Sequence, residues 1–107
     1  LVCHAPALLT RLTPPHALEG RAVTSVSGFE EFYIETLVMG ADAKVRGIGE
    51  QLEDAGYEHD AAFPGSEHAL RDCNLVTSQN PFSTAEFSAL YLEALRDQRR
   101  GARCVPY

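Results

Sequence analysis

The stretch that most constrains this chain is Cys3-His4-Ala5-Pro6, with Leu1-Val2 before it and Ala7-Leu8-Leu9 after it. The two leading apolar residues read as the end of a strand. Pro6 falls where the first turn of a helix tolerates proline, because the N–H it lacks would have no intrahelical partner there. A strand, a sharp turn bearing a nucleophile and a helix together make a nucleophile elbow. The start of the following helix carries positive partial charge, so this arrangement predicts a Cys3 thiol with a lowered pKa. His4, next in the chain, is the candidate proton carrier. A buried structural cysteine beside an incidental histidine is the competing reading, since one Cys-His pair is a weak signal.

Beyond Leu12 the pattern alternates between strand-like and helix-like periods. Thr13-Pro14-Pro15 must end the first helix. Arg21–Val26, with β-branched Val23, Thr24 and Val26, reads as a strand, and Ser27-Gly28 as punctuation. Phe29–Gly40 carries a helix-like spacing of aromatic and aliphatic residues. Ala41, Val45, Ile48, Leu52 and Ala55 form one apolar stripe, which predicts a helix over about 42–55 closed by Gly56. Gly47 and Gly49 weaken that helix and permit close packing. Tyr57–Phe63 is a candidate strand. Ser83-Thr84-Ala85-Glu86 matches a capping box opening a helix that runs to about Arg100, where Gly101 stops it. The residues after Gly101 read as a loose tail. This alternation predicts an α/β fold: a parallel or mixed sheet of four or five strands with helices on both faces.

Composition narrows the function classes. With 107 residues, one domain is the bound. At 45% hydrophobic and 22% charged the chain is globular rather than disordered. No apolar run reaches the ~20 residues of a membrane span, so no membrane role is expected. A net charge of −6 argues against a nucleic-acid partner. Cys3, Cys73 and Cys104 are odd in number and widely spaced, which fits neither a disulfide framework nor a zinc ribbon. A reducing, cytoplasmic setting is therefore the expectation, with Cys73 and Cys104 as bystanders. His16, His59 and His68 lack metal-like spacing and read as surface or loop residues. Neither a metal nor a cofactor is expected. Glu30 and Glu31 could line a pocket but read first as a solvated helix start.

Three segments carry a family resemblance. Val2-Cys3-His4-Ala5-Pro6-Ala7-Leu8-Leu9 resembles the elbow of the PfpI-like family, within the class I glutamine amidotransferase-like superfamily. Leu18-Glu19-Gly20-Arg21-Ala22-Val23-Thr24 resembles that family's turn and strand ending in Val-Thr. Asn74-Leu75-Val76-Thr77-Ser78-Gln79-Asn80-Pro81 resembles its Leu-Ile-Thr-Gly-Gln-Asn-Pro segment. The departures are Ala5 and Ser78, where the family usually has glycine. The resemblance also implies a β-hairpin across Arg71-Asp72-Cys73-Asn74, with Cys73 in place of the usual glycine.

The resemblance implies that residues 1–107 are the C-terminal half of a flavodoxin-like, doubly wound domain. The N-terminal half would come from a separate chain or a missing segment, and the complete domain would form a homodimer. It further implies that Cys3 is the nucleophile and His4 its general base or acid. The carboxylate that orients the histidine is expected upstream of the elbow or on a neighbouring subunit. The oxyanion hole is expected to use the backbone N–H of His4 and a donor from the other half. The implied activity is glyoxalase III-like or deglycase-like action on methylglyoxal or related small aldehydes. Alternatives are a PfpI-like amidase or peptidase, a stress-response holdase, or a redox sensor using the same cysteine. Alone, the chain is expected to be inactive, and Cys3 to be alkylated near neutral pH ahead of Cys73 and Cys104.

Overall fold

The computed structural model describes residues 1–33 and 47–101. Its elements are β1 (Ala22–Val23), α1 (Gly28–Tyr33), α2 (Ile48–Asp54), β2 (Glu58–His59), β3 (Ala69–Asp72), β4 (Leu75–Ser78) and α3 (Thr84–Arg99), with a 3-10 helix over Ala5–Arg11. The fold is α/β, as the alternation predicts, but among the described residues the strands pair as two separate two-stranded sheets rather than as one sheet of four or five. The proposed continuation of α1 to Gly40, the Ala41 and Val45 part of the second apolar stripe, and the tail with Cys104 lie outside the described residues.

Strands β1 and β2 pair in parallel, with Ala22 opposite Glu58 and Val23 opposite His59. Strands β3 and β4 form an antiparallel hairpin from Ala69–Ser78 to Asp72–Leu75. Both strands predicted for the first pair are shorter than read. One reason is that two strand N–H groups go to side chains. Ala22 N donates to Asp72 Oδ2 at 2.7 Å, and Thr24 N to Thr77 Oγ1 at 2.9 Å. These acceptors take the place of strand carbonyls and tie the β1 segment to the hairpin. Asp72 and Thr77 are accordingly buried, since a buried polar group needs its partner.

The hairpin turn is Cys73-Asn74, and Cys73 has φ 64°. That left-handed value is why glycine is the usual occupant of such a position. Cys73 is disulfide-bonded, which corrects the expectation of a bystander in a chain without disulfides.

The core is formed by Leu9, Val23, Val26, Ile48, Leu52, Tyr57 and Leu75. The 3-10 helix contributes Leu9 to it, and Tyr57 Oη donates to the Leu9 carbonyl at 3.0 Å. Helix α2 contributes Ile48 and Leu52, as the apolar stripe predicts, and Gly56 follows its end at φ 94°. Helix α3 packs on β3 and β4. It begins and ends where the sequence places it, but Ser83 makes no capping bond. The Ser83 hydroxyl instead donates to Asn80 Oδ1 and accepts from His68 N. Tertiary partners outcompete the local cap.

Gly49 faces His59 across the α2–β2 contact. A Cβ there would lie 2.8 Å from the His59 ring carbon Cε1. The ring cannot swing aside freely, because its Nε2 is 2.8 Å from Oγ of the fully buried Ser25. His59 is thus half-buried and built in, not a loop histidine as its sequence context suggests. Helix propensity favours Gly49→Ala by about 1 kcal/mol. The overlap opposes it by about 1–3 kcal/mol. Net destabilisation of about 1 kcal/mol or more is expected in denaturant unfolding; a gain in stability would show that the α2–β2 contact is loose.

Candidate functional site

The elbow is built by three backbone contacts around one strained residue. Val2 bridges Ser78 of β4 in parallel, and Ser78 N donates to the Leu1 carbonyl at 2.9 Å. Cys3 N donates to Ser78 O at 2.8 Å, and Val26 N donates to Cys3 O at 2.7 Å. Clamped on both sides, Cys3 takes φ 60°, in the left-handed region that side-chain-bearing residues seldom occupy. Ala5 lies at the start of the 3-10 helix and is not among the positive-φ residues. Alanine in place of the family's glycine is therefore tolerated by this turn.

The structure brings Cys3 and His4 together. Cys3 Sγ is 3.2 Å from His4 Nδ1, and both residues are half-buried. Cys3 lines a cavity of about 340 Å³ together with Val26, Phe29, Glu30, Tyr33 and Phe82. Cys3 is a free thiol.

Glu30 is the polar centre of this cavity, and sequence reasoning misplaced it. Its Oε1 accepts from Ser27 N at 3.2 Å, Ser27 Oγ at 2.8 Å and Gln79 Nε2 at 2.7 Å. Its Oε2 accepts from Asn80 Nδ2 at 2.9 Å and Gly65 N at 3.1 Å. Glu30 N in turn donates to Ser27 Oγ at 3.2 Å, so Ser27 and Glu30 form a reciprocal capping box. The signal was present as Ser-x-x-Glu at 27–30. Gln79 also brackets Ala62 through its N–H and carbonyl, and Asn80 Nδ2 donates to Ser66 O. One carboxylate thereby joins the start of α1, the 62–66 loop and the Gln79-Asn80 segment. Glu31 is only 1% exposed. The reading of a solvated helix start does not hold for either residue.

The electrostatics follow from this packing. Burial would raise the Glu30 pKa, but hydrogen bonds from Gln79, Ser27 and Asn80 outweigh it and hold the carboxyl below its ordinary range. The Cys3 thiol is pushed up instead, first by burial and then by the charges of Glu30 and Glu31; the backbone N–H of His4 offsets part of this. The predicted lowering by the next helix is corrected. The following segment is a seven-residue 3-10 helix, and two carboxylates from α1 lie within electrostatic reach of the sulfur. Two carboxylates downstream of the elbow thus act on the Cys3 thiol. Among the described residues, no group of three or more His, Cys, Asp or Glu could hold a metal ion, and no helix is long and apolar enough to cross a membrane.

The raised thiol sets a pH expectation. Alkylation of Cys3 by iodoacetamide is expected to keep rising with pH beyond the point where an ordinary cysteine levels off. Glu30→Gln removes one of the opposing charges and is expected to move the profile to lower pH. Cys73, held in a disulfide, should label only after reduction. A wild-type profile at or below that of a free thiol would contradict this electrostatic picture.

The fold is shared with solved structures. The crystal structure of the protein APC35852 superposes with a TM-score of 0.70 at 25% identity, over 91% of this chain and 43% of that one. The X-ray structure of Rapid Encystment Protein 24 KDa (REP24) of Francisella tularensis gives 0.66 at 22% identity, over 87% and 41%. This chain thus spans about two fifths of the length of these two proteins. No protein-family model and no curated protein matches the sequence.

Proposed function

We propose that this chain carries the nucleophile of a PfpI-like cysteine enzyme, acting in a glyoxalase III-like or deglycase-like manner on methylglyoxal or related aldehydes. The observation that carries the reading is Cys3 at φ 60°, with its sulfur 3.2 Å from His4 Nδ1, at the wall of a largely apolar cavity. In the proposed reaction the thiolate adds to the aldehyde carbon, the C=O π bond opens onto oxygen, and that oxygen takes a proton. In the hemithioacetal, a proton then moves from the former aldehyde carbon to the neighbouring ketone carbon while the hydroxyl proton passes to the former ketone oxygen, so that C=O re-forms next to sulfur and a lactoyl thioester results. Water cleaves the thioester, releasing lactate and the thiol. The sum is methylglyoxal plus water to lactic acid, with no external oxidant or reductant. His4 is the assigned proton carrier. The proposal includes a second oxyanion donor, supplied by the N-terminal half of the domain, and a homodimer of the complete domain.

A second reading, a stress-response holdase, rests on a different observation. Phe29, Phe32, Phe63 and Phe82 are 46–81% exposed, an apolar surface of the kind that engages other polypeptides. One assay separates the two: lactate formed from methylglyoxal by the full-length natural protein, with and without Cys3→Ser. Cys3-dependent lactate supports the enzyme. Its absence, together with suppressed aggregation of a denatured client protein, supports the holdase.

A further inference from the structure

The cavity at Cys3 combines two features that act on different parts of a ligand. Its rim is aromatic and open: Phe29, Tyr33 and Phe82 line it while being 65%, 50% and 69% exposed. Large apolar side chains are left in water at the mouth of the cavity that holds the free thiol. Its lining also carries negative charge without a compensating cation among the described residues. Glu30 lines the cavity, and none of the described lining residues is a lysine or arginine. Among the other polar lining groups, Tyr33 brings a neutral phenol and Asn80 is spent: its amide nitrogen serves Glu30 and Ser66, and its oxygen accepts from Ser83.

From this juxtaposition we infer that the site selects uncharged carbonyl compounds with an aromatic or branched apolar body and rejects those bearing a carboxylate. The inference rests on the reading of Cys3 as the reacting thiol. An apolar body gains by covering Phe29, Tyr33 and Phe82, which otherwise face solvent. A carboxylate brought to the sulfur meets the charge of Glu30 in a partly desolvated cavity, with no cation to balance it. The volume, about 340 Å³, is at the lower end for small-molecule sites. A single ring with a reactive carbonyl group suits it better than an extended chain. Glu30 is then a specificity residue as well as the staple of the cavity wall.

The test uses thiol-directed electrophiles, whose relative rates on one sulfur do not depend on its thiolate fraction. Rates of Cys3 modification by iodoacetamide, iodoacetate and N-benzyl iodoacetamide are measured on the full-length natural protein and on N-acetylcysteine amide. The iodoacetate-to-iodoacetamide ratio is expected to be about tenfold lower at Cys3 than on the free thiol. The N-benzyl-to-iodoacetamide ratio is expected to be about fivefold higher. Phe82→Ala, at an exposed position, should erase most of the benzyl preference, and Glu30→Gln should recover most of the iodoacetate rate. Ratios equal to those of the free thiol would overturn the inference even if methylglyoxal is turned over. Selective labelling without lactate formation would instead uphold the selectivity and defeat only the enzymatic reading. Flat ratios combined with aggregation suppression would overturn it by assigning the aromatic rim to a polypeptide.

Discussion

Cys3→Ser is expected to lower lactate formation from methylglyoxal by about 10³-fold or more in the full-length natural protein, without loss of folding. The serine hydroxyl is nearly isosteric with the thiol. Its two backbone clamps, Cys3 N to Ser78 O and Val26 N to Cys3 O, do not involve the side chain. What is lost is the proposed nucleophile, since a serine hydroxyl stays protonated at the pH of the assay. His4→Ala is expected to cost about 10²-fold, the usual scale for one proton-transfer group. The two losses should not add when combined, because in the proposed reaction the histidine acts only on chemistry at the sulfur. Lactate formation that survives Cys3→Ser would remove Cys3 from the reaction.

The elbow was legible because its signal is local, although the clamps that hold it come from Val26 and Ser78, far along the chain. Two apolar residues, a cysteine and Pro6 fall within six positions, and Cys3 has the left-handed φ expected at the tip of such a turn. The ends of α3 were legible for the same reason. The cavity was not. Glu30 and Glu31, read along the chain, look like acids placed at a helix start to suit its dipole. Gln79 and Asn80, 49 and 50 positions away, help turn Glu30 into a half-buried hub. The thiol pKa went wrong by the same route. A sequence argument sees the next helix turn, whereas the larger effects at Cys3 are burial and charges delivered by α1. The two Ser-x-x-Glu segments make the point within one chain. Ser27–Glu30 forms the box and Ser83–Glu86 does not, because His68 and Asn80 claim the second serine. Motif spacing proposes a bond, and competition from distant partners decides it.

The same competition predicts the largest stability effect, at Asp72. This residue is 2% exposed. Its Oδ2 accepts the Ala22 N–H at 2.7 Å, and its Oδ1 lies 3.5 Å from Arg21 Nη1. Arg21 is itself buried, and its guanidinium reaches the Asp72 and Ala17 carbonyls. Neither Arg21 Nε nor Asp72 Oδ1 has a hydrogen-bond partner, so the pair depends on charge as well as on hydrogen bonds. Asp72→Ala would strand a buried guanidinium and orphan a strand N–H. Breaking a buried pair in this way costs about 3–5 kcal/mol. That is a large share of the 5–15 kcal/mol, roughly, that holds an ordinary domain together. Asp72→Asn retains an acceptor for Ala22 N–H and removes only the charge, so it should cost about half as much. The readout is the urea midpoint of each variant at unchanged m-value. Because Asp72 ties the β1 segment to the hairpin, the destabilised variants should also lose Cys3 selectivity at lower urea than wild type. An Asp72→Ala protein within about 1 kcal/mol of wild type would mean that Arg21 reaches solvent when its partner is removed, and that the pair adds little to the fold.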